Sequence, residues 1–230
     1  MSRWRTARVA SLEHPAAGLV RLRLDVDDWP GHRPGQHAVV RLRAEDGYTA
    51  QRSYSIASAP SDPAVELLVE RLPDGEVSGH LHGEARVGDV VEVNGPVGRW
   101  FVWDGTSPAI AIVGGTGVVP AVSMLRHARD RGTSGALRVV AVAKTWEALP
   151  YASELRAAGA FVALTRENLD GRVAAPPYPD EVAPLLDALG DDLQAFVCGS
   201  TGFVGWATRT LREQGVPEST IRVEQFGVTG

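Results

Sequence analysis

A single cysteine, Cys198, stands in a chain of 230 residues. One thiol can make neither an internal disulfide nor a cysteine-built zinc cage, and an iron–sulfur cluster usually takes about four thiolates. Every self-contained iron–sulfur reading is thereby excluded. Long apolar runs are also missing. The longest, Ala109 to Val113, is far short of the roughly 20 residues that cross a bilayer. The opening Met1-Ser-Arg-Trp-Arg-Thr-Ala-Arg8 has no apolar core of signal-peptide length. There is no surplus of basic charge either: 23 Lys and Arg face 28 Asp and Glu, a net charge of -5. Nucleic acid and anionic membrane would both be repelled at long range. These absences predict a cytoplasmic protein whose partners are neither nucleic acid nor membrane.

What is present suits two domains of roughly 100–120 residues each. In the first hundred residues Val20, Leu22, Leu24 and Val26 alternate with Arg21, Arg23 and Asp25, the period of a half-buried strand. Val40 and Leu42 alternate with Arg41 and Arg43; Val65, Leu67 and Val69 do so around Glu66 and Glu70. Turn signals stand at Pro30-Gly31, Pro34-Gly35, Asp46-Gly47, Pro73-Asp74-Gly75 and Gly95-Pro96. This spacing predicts an antiparallel β-barrel or sandwich, interrupted by a short helix starting near Ser78.

The pattern changes after a linker at Trp103–Pro108. Ala109–Val113 reads as a strand buried on both faces. It leads into a helix with Ala121, Val122, Leu125 and Ala128 on one face and Ser123, Arg126, His127 and Asp130 on the other. Strands at 137–143, 160–165, 194–198 and 221–226 then alternate with helices, which predicts a doubly wound α/β parallel sheet. The expected domains are therefore 1–103, a barrel, and 109–230, an α/β nucleotide-type domain.

Four short motifs carry chemistry. Arg52-Ser53-Tyr54-Ser55, on a strand, can hold a phosphate, stack a planar ring and donate a hydrogen bond to it. An ordinary strand with an exposed Arg and Tyr has the same composition. Gly75-Glu76-Val77-Ser78 sets Ser78 where free N–H groups of a helix start face an anion, although a plain N-cap serine fits as well. Gly114-Gly115-Thr116-Gly117, with Pro120 after it, follows a buried strand and opens a helix, the setting for a dinucleotide pyrophosphate. Cys198-Gly199 ends a strand and leads to Phe203; at the carboxyl end of a parallel strand the thiol faces the ligand crevice. His80 and His82 read as helix-surface residues with no third metal ligand in sight. Trp100 and Trp103 read as packing near the linker.

In this order, across almost the whole chain, the four motifs resemble those of the ferredoxin–NADP reductase superfamily. The ending Glu224-Gln-Phe226-Gly-Val-Thr-Gly230 is similar to that of small bacterial members. Ser200 and Val228 stand where Pro is common in the family, and neither change removes a contact group. The resemblance implies FAD on the barrel and NADPH or NADH on the α/β domain. Arg52 would bind the flavin pyrophosphate, Tyr54 would stack on the isoalloxazine, and Ser55 would hydrogen-bond near N5. Ser53 would be a further FAD-binding residue, and Val69 to Leu72, Arg71 included, would run past the adenosine half. Gly75, Val77 and Ser78 would complete the pyrophosphate site. Gly115, Thr116 and Gly117 would hold the nicotinamide nucleotide, with Cys198 and Gly199 beside its ring and Phe203 a further NAD(P)-binding residue. Glu224 and Phe226 would be flavin neighbours, with Ser55, Cys198 and Glu224 the catalytic set.

The implied reaction is hydride transfer from NAD(P)H to FAD, with electrons leaving to a separate acceptor, protein or small molecule, because the sequence carries no ferredoxin domain. A flavin or ferric reductase and a non-catalytic nucleotide-binding module are the alternatives. Lys144 and Arg166, past the second and third strands of the α/β domain, are placed to prefer the 2′-phosphate of NADPH. No acid occupies Ala143-Lys144-Thr145, although Glu147 and Glu167 are near in sequence.

Overall fold

A computed structural model describes residues 4–190 and 192–226. The chain divides into two compact units, Met1–Val102 and Trp103–Gly230.

The first unit is a six-stranded antiparallel sheet of β1 (Trp4–Glu13), β2 (Leu19–Val26), β3 (His37–Arg43), β4 (Thr49–Ser55), β5 (Val65–Glu70) and β6 (Val90–Val97), with α1 (Glu76–Gly83) between the last two. The order β4-β3-β6-β1-β2-β5 leaves β4 at one end and β5 at the other. Just past β4 the chain turns back onto β5, where Ile56 bridges Leu67 and Ala57 N donates to Glu66 O at 2.8 Å. The sheet thereby curls toward a barrel around Val20, Leu22, Leu24, Val40, Leu67 and Val93.

Two strands differ from the expectation. β1 was not evident in the sequence because its inward positions include the small Ala7, which blurs the alternation around Val9. Gly95-Pro96 reads as a turn but lies inside β6, which runs on until Val97 pairs with His37. α1 starts at Glu76, two residues before Ser78. Gly75 is its extended N-cap, with φ -80° and ψ 102°.

The second unit is a five-stranded parallel sheet ordered β11-β10-β7-β8-β9. Its strands are β7 (Ala109–Gly114), β8 (Leu137–Ala143), β9 (Phe161–Leu164), β10 (Gln194–Gly199) and β11 (Ile221–Gln225). The helices are α2 (Val119–Arg131), α3 (Ala152–Ala157), α4 (Pro179–Asp187) and α5 (Thr201–Glu213). Every residue of β7 before Gly114 is buried, as a central strand covered on both faces requires. α2 departs from its expected polar face, since Ser123 is fully buried along with Val119 to Met124. The first half of this helix is enclosed all round, and only its last turns meet solvent. Trp103 is buried in this unit, its Nε1 donating to Ser107 O at 2.8 Å. Trp100 is 61% exposed, so packing does not account for it as expected.

Candidate functional site

On the barrel, cross-strand pairing sets Arg52 opposite Val40 and Tyr54 opposite Ala38, while Ser53 and Ser55 take the other face of β4. Arg52 is exposed; one guanidinium nitrogen donates to Gln51 O at 2.8 Å, and the others have no partner among the described residues. Tyr54 packs against the barrel core, and burial pushes its phenol up to about 12. Ser55 is only 5% exposed, and its Oγ finds no hydrogen-bond partner among the described residues. Such a group costs about 1–3 kcal/mol, a cost that a polar ligand would remove. Across the strand pair from Ser55 stands His37, half-buried and held below the usual imidazole range by burial.

The loop into α1 corrects the expected use of Ser78. Its buried hydroxyl accepts from Leu72 N at 3.2 Å and donates to Gly75 O at 3.3 Å, so it braces the turn instead of facing an anion. A Cβ on Gly75 would come within 2.3 Å of that hydroxyl, which is why glycine stands there. What remains open to an anion is the backbone of the first turn, which has no side-chain cap. The side chains of Val69 and Val77 are locked in the core, leaving only their backbone to meet a ligand. Arg71, Leu72, Gly75 and Glu76 line a groove of about 370 Å³ on the same side of the helix start. Sequence reasoning missed Tyr48, whose phenol donates to Glu76. The signal was there: Tyr48, Arg52 and Tyr54 share one parity.

In the parallel sheet the connection from β7 goes to β8 on one side, and β10 returns on the other. β7 and β10 therefore flank the switch point where open α/β sheets bind ligands. Gly115 to Gly117 extend from β7 as one turn of 3-10 helix before α2, and Cys198 and Gly199 end β10 beside them. Gly115 has φ +56°, a backbone that side chains rarely adopt. A Cβ on Gly117 would lie 2.5 Å from the Cys198 carbonyl oxygen, so glycine alone lets the turn approach β10. The ring of Phe203 fills the space over Gly114 and Gly199, where Cβ atoms would come within 2.9 and 2.6 Å of it.

The Cys198 side chain is fully buried; burial, then the nearby Glu224, push its thiol well above its ordinary range. This is a neutral, inert thiol. Glu224 pairs with Cys198 across β10 and β11, and burial raises its carboxyl to about 7. Phe226 N donates to Gly199 O at 3.0 Å, while residues 227–230 of the terminal motif lie outside the described residues.

Lys144 and Arg166 come together past the ends of β8 and β9, where Arg166 N donates to Lys144 O at 2.9 Å. Both side chains are exposed, without a partner among the described residues. Glu167 is engaged with Trp146 N at 2.8 Å. Farther along the same loop, Arg172 grips Glu181 through two contacts of 2.7 and 2.9 Å. The same guanidinium donates to the carbonyls of Val173, Ala175 and Pro176. Among the described residues no cluster of three His, Cys, Asp or Glu could hold a metal, and no helix is long and apolar enough to cross a membrane.

Residues 13–102 match the oxidoreductase FAD-binding domain family. The reductase component of propane 2-monooxygenase from Mycolicibacterium goodii is 29% identical over 95% of this chain and 66% of its own length. The chain thus spans about two thirds of that relative and as little as 52% of another, flavohemoprotein A from Dictyostelium discoideum. The flavohem-like FAD/NAD binding domain of nitric oxide dioxygenase from Vibrio cholerae superposes with a TM-score of 0.80 at 23% identity, covering 97% of this chain and 98% of that one. A ferredoxin NADP+ reductase from Neisseria gonorrhoeae, with bound FAD and NADP, gives 0.79 at 16% identity, covering 98% and 99%.

Proposed function

We propose that this chain is a member of the ferredoxin–NADP reductase superfamily and an FAD-dependent NAD(P)H reductase delivering electrons to a separate acceptor, a reading supported by the FAD-binding domain match over residues 13–102 and by the shared fold. Residues 1–103 are read as the FAD domain and 109–230 as the NAD(P) domain. The observation that carries the reading is the buried, unpartnered hydroxyl of Ser55, at the end of an edge strand that also presents Arg52 and Tyr54. FAD fits these residues. Arg52 and the first-turn N–H groups after Gly75 would hold the pyrophosphate, the Tyr54 ring would face the isoalloxazine, and Ser55 would hydrogen-bond its polar edge. When bound, the flavin supplies a two-electron acceptor for hydride and an exit for electrons singly or in pairs.

The remaining roles belong to the protein. Gly115 and Gly117 give a nucleotide close access to backbone N–H groups at the switch point. Cys198, a neutral thiol, shapes the floor of that crevice. Glu224, titrating near 7, can hold or release a proton at neutral pH. Lys144 and Arg166 favour NADPH. The acceptor class follows from relatives named as reductase components of monooxygenases: an oxygenase component or its carrier protein. We read the working compartment as the cytoplasm.

Anaerobic titration of the purified chain with NADPH and NADH, followed by flavin absorbance, tests the proposal. Bleaching by either nucleotide and recovery on adding a one-electron acceptor are expected. A colourless protein, or heat-released cofactor that chromatographs as FMN, would overturn it.

A further inference from the structure

FAD differs from FMN by an adenylate, and the adenine ring needs a flat surface. Tyr48 offers one. It closes the β3–β4 hairpin, where Ala44 N donates to its carbonyl at 2.9 Å and its own N–H donates to Asp46 Oδ1 at 2.9 Å. The backbone is fixed on both sides, yet the side chain is 58% exposed. Its phenol donates to the Glu76 carboxylate, 2.9 Å to one oxygen and 3.2 Å to the other. A large ring is thus held still in water, tied to the first residue of α1. Exposed tyrosines otherwise keep their rotamer freedom.

Position along the strand gives the ring its use. The Ala44–Tyr48 hydrogen bond continues the β3–β4 ladder, so Tyr48 keeps the parity and face of Arg52 and Tyr54. At about 3.4 Å per residue, Arg52 lies roughly 14 Å from Tyr48 and roughly 7 Å from Tyr54 along the strand. Aromatic, cation and second aromatic follow the order of isoalloxazine, pyrophosphate and adenine in an extended FAD. Glu76, the partner of the Tyr48 phenol, also lines the groove of about 370 Å³ together with Arg71 and Leu72.

We propose that the ring of Tyr48 is the platform on which the adenine of FAD stacks, and that this contact selects FAD over FMN. The inference rests on the flavin reading above. Stacking of a base on an aromatic ring is worth about tenfold to a hundredfold in affinity.

The test uses the full chain freed of flavin and titrated with FAD and with FMN by fluorescence. Tyr48→Ser is expected to weaken FAD about tenfold or more and to leave FMN unchanged. Tyr48→Phe, which keeps the ring, is expected to retain most of the FAD affinity. A Ser variant that binds FAD like the native chain, or loses both flavins in proportion, overturns the platform. So does a Phe variant as weak as the Ser variant, because the loss would then belong to the hydroxyl. Thermal unfolding of the flavin-free variants, with Tyr48 exposed, is expected to match the native chain; if the Ser variant is less stable, the Phe variant decides. A native chain that binds neither flavin sinks the earlier reading, a result distinct from unaltered FAD binding by the Ser variant.

Discussion

In the barrel, the candidate contacts are side chains on one edge strand, Arg52, Tyr54 and Ser55, and on the hairpin just before it, Tyr48. In the parallel sheet they are mostly backbone groups uncovered by missing side chains, at Gly115, Gly117 and Gly199. The two units therefore fail differently. An edge strand can exchange a side chain without disturbing its neighbours, since one of its sides has no ladder to keep. The turn after β7 has no such freedom. Its Gly117 approaches the β10 backbone so closely that any Cβ meets a carbonyl that cannot swing aside. We expect substitutions at the barrel site to cost function by degrees, and those at the sheet site, which is set by sterics, to cost it outright.

The largest effect should come from breaking that steric fit. Gly117→Ala places a Cβ 2.5 Å from the Cys198 carbonyl oxygen and 2.9 Å from Gly199 N, which should cost about 3 kcal/mol or more. Urea unfolding of the second unit would measure it, and flavin binding should survive. Next in size is the pH dependence of Glu224. Its folded carboxyl titrates near 7 and the unfolded one near 4.5, so between these values the folded chain holds a proton that the unfolded chain has lost. Stability from this group is full below about pH 4.5 and is lost as pH rises through 7, by about 3 kcal/mol in all. Glu224→Gln should flatten that slope; an unchanged slope would place the titrating group elsewhere.

The smaller effects sharpen the side-chain half of the contrast. Lys144→Ala or Arg166→Ala should raise the KM for NADPH about tenfold to a hundredfold, a charge-assisted contact being worth about 1.5–3 kcal/mol, and leave that for NADH nearly unchanged. Comparable kcat/KM for the two nucleotides in the native chain would show that neither cation reads the phosphate. Smallest is Ser55→Ala. Removing a buried hydroxyl that has no partner should stabilise the flavin-free protein by about 1 kcal/mol, while slowing reduction of bound flavin by NAD(P)H. A flavin-free protein of lower Tm would mean that the hydroxyl is satisfied within the protein.

The same contrast explains what was legible in the sequence. The parallel strands were plain because burial on both faces writes continuous apolar runs such as Ala109–Val113. In the barrel, alternation showed β2, β3 and β5. It faded in β1, where Ala7 is an inward residue too small to mark its face, and in β6, where Gly95-Pro96 imitates a turn inside a strand. The site motifs stood out because glycine, arginine and serine are conspicuous letters. Their division of labour did not. Nothing in Gly75-Glu-Val-Ser78 says that Ser78 turns inward to brace Leu72 and Gly75, because that depends on where the preceding loop passes. Tyr48 was overlooked for a related reason: its meaning comes from Glu76, 28 residues away in sequence.

Arg172 has a consequence for how the nucleotide would be greeted. A long loop that orders only around its ligand would spend, on average, about 1–2 kcal/mol of conformational entropy for each residue it fixes. Here one guanidinium, forked on Glu181 and laced to three carbonyls, has already fixed the stretch from Val173 to Pro176 that follows the Arg166 turn. The ordering is completed during folding, and none of it is charged to the encounter. Lysine, a point charge without a fork, could not hold so many partners at once. That stretch behaves as preorganised scaffold.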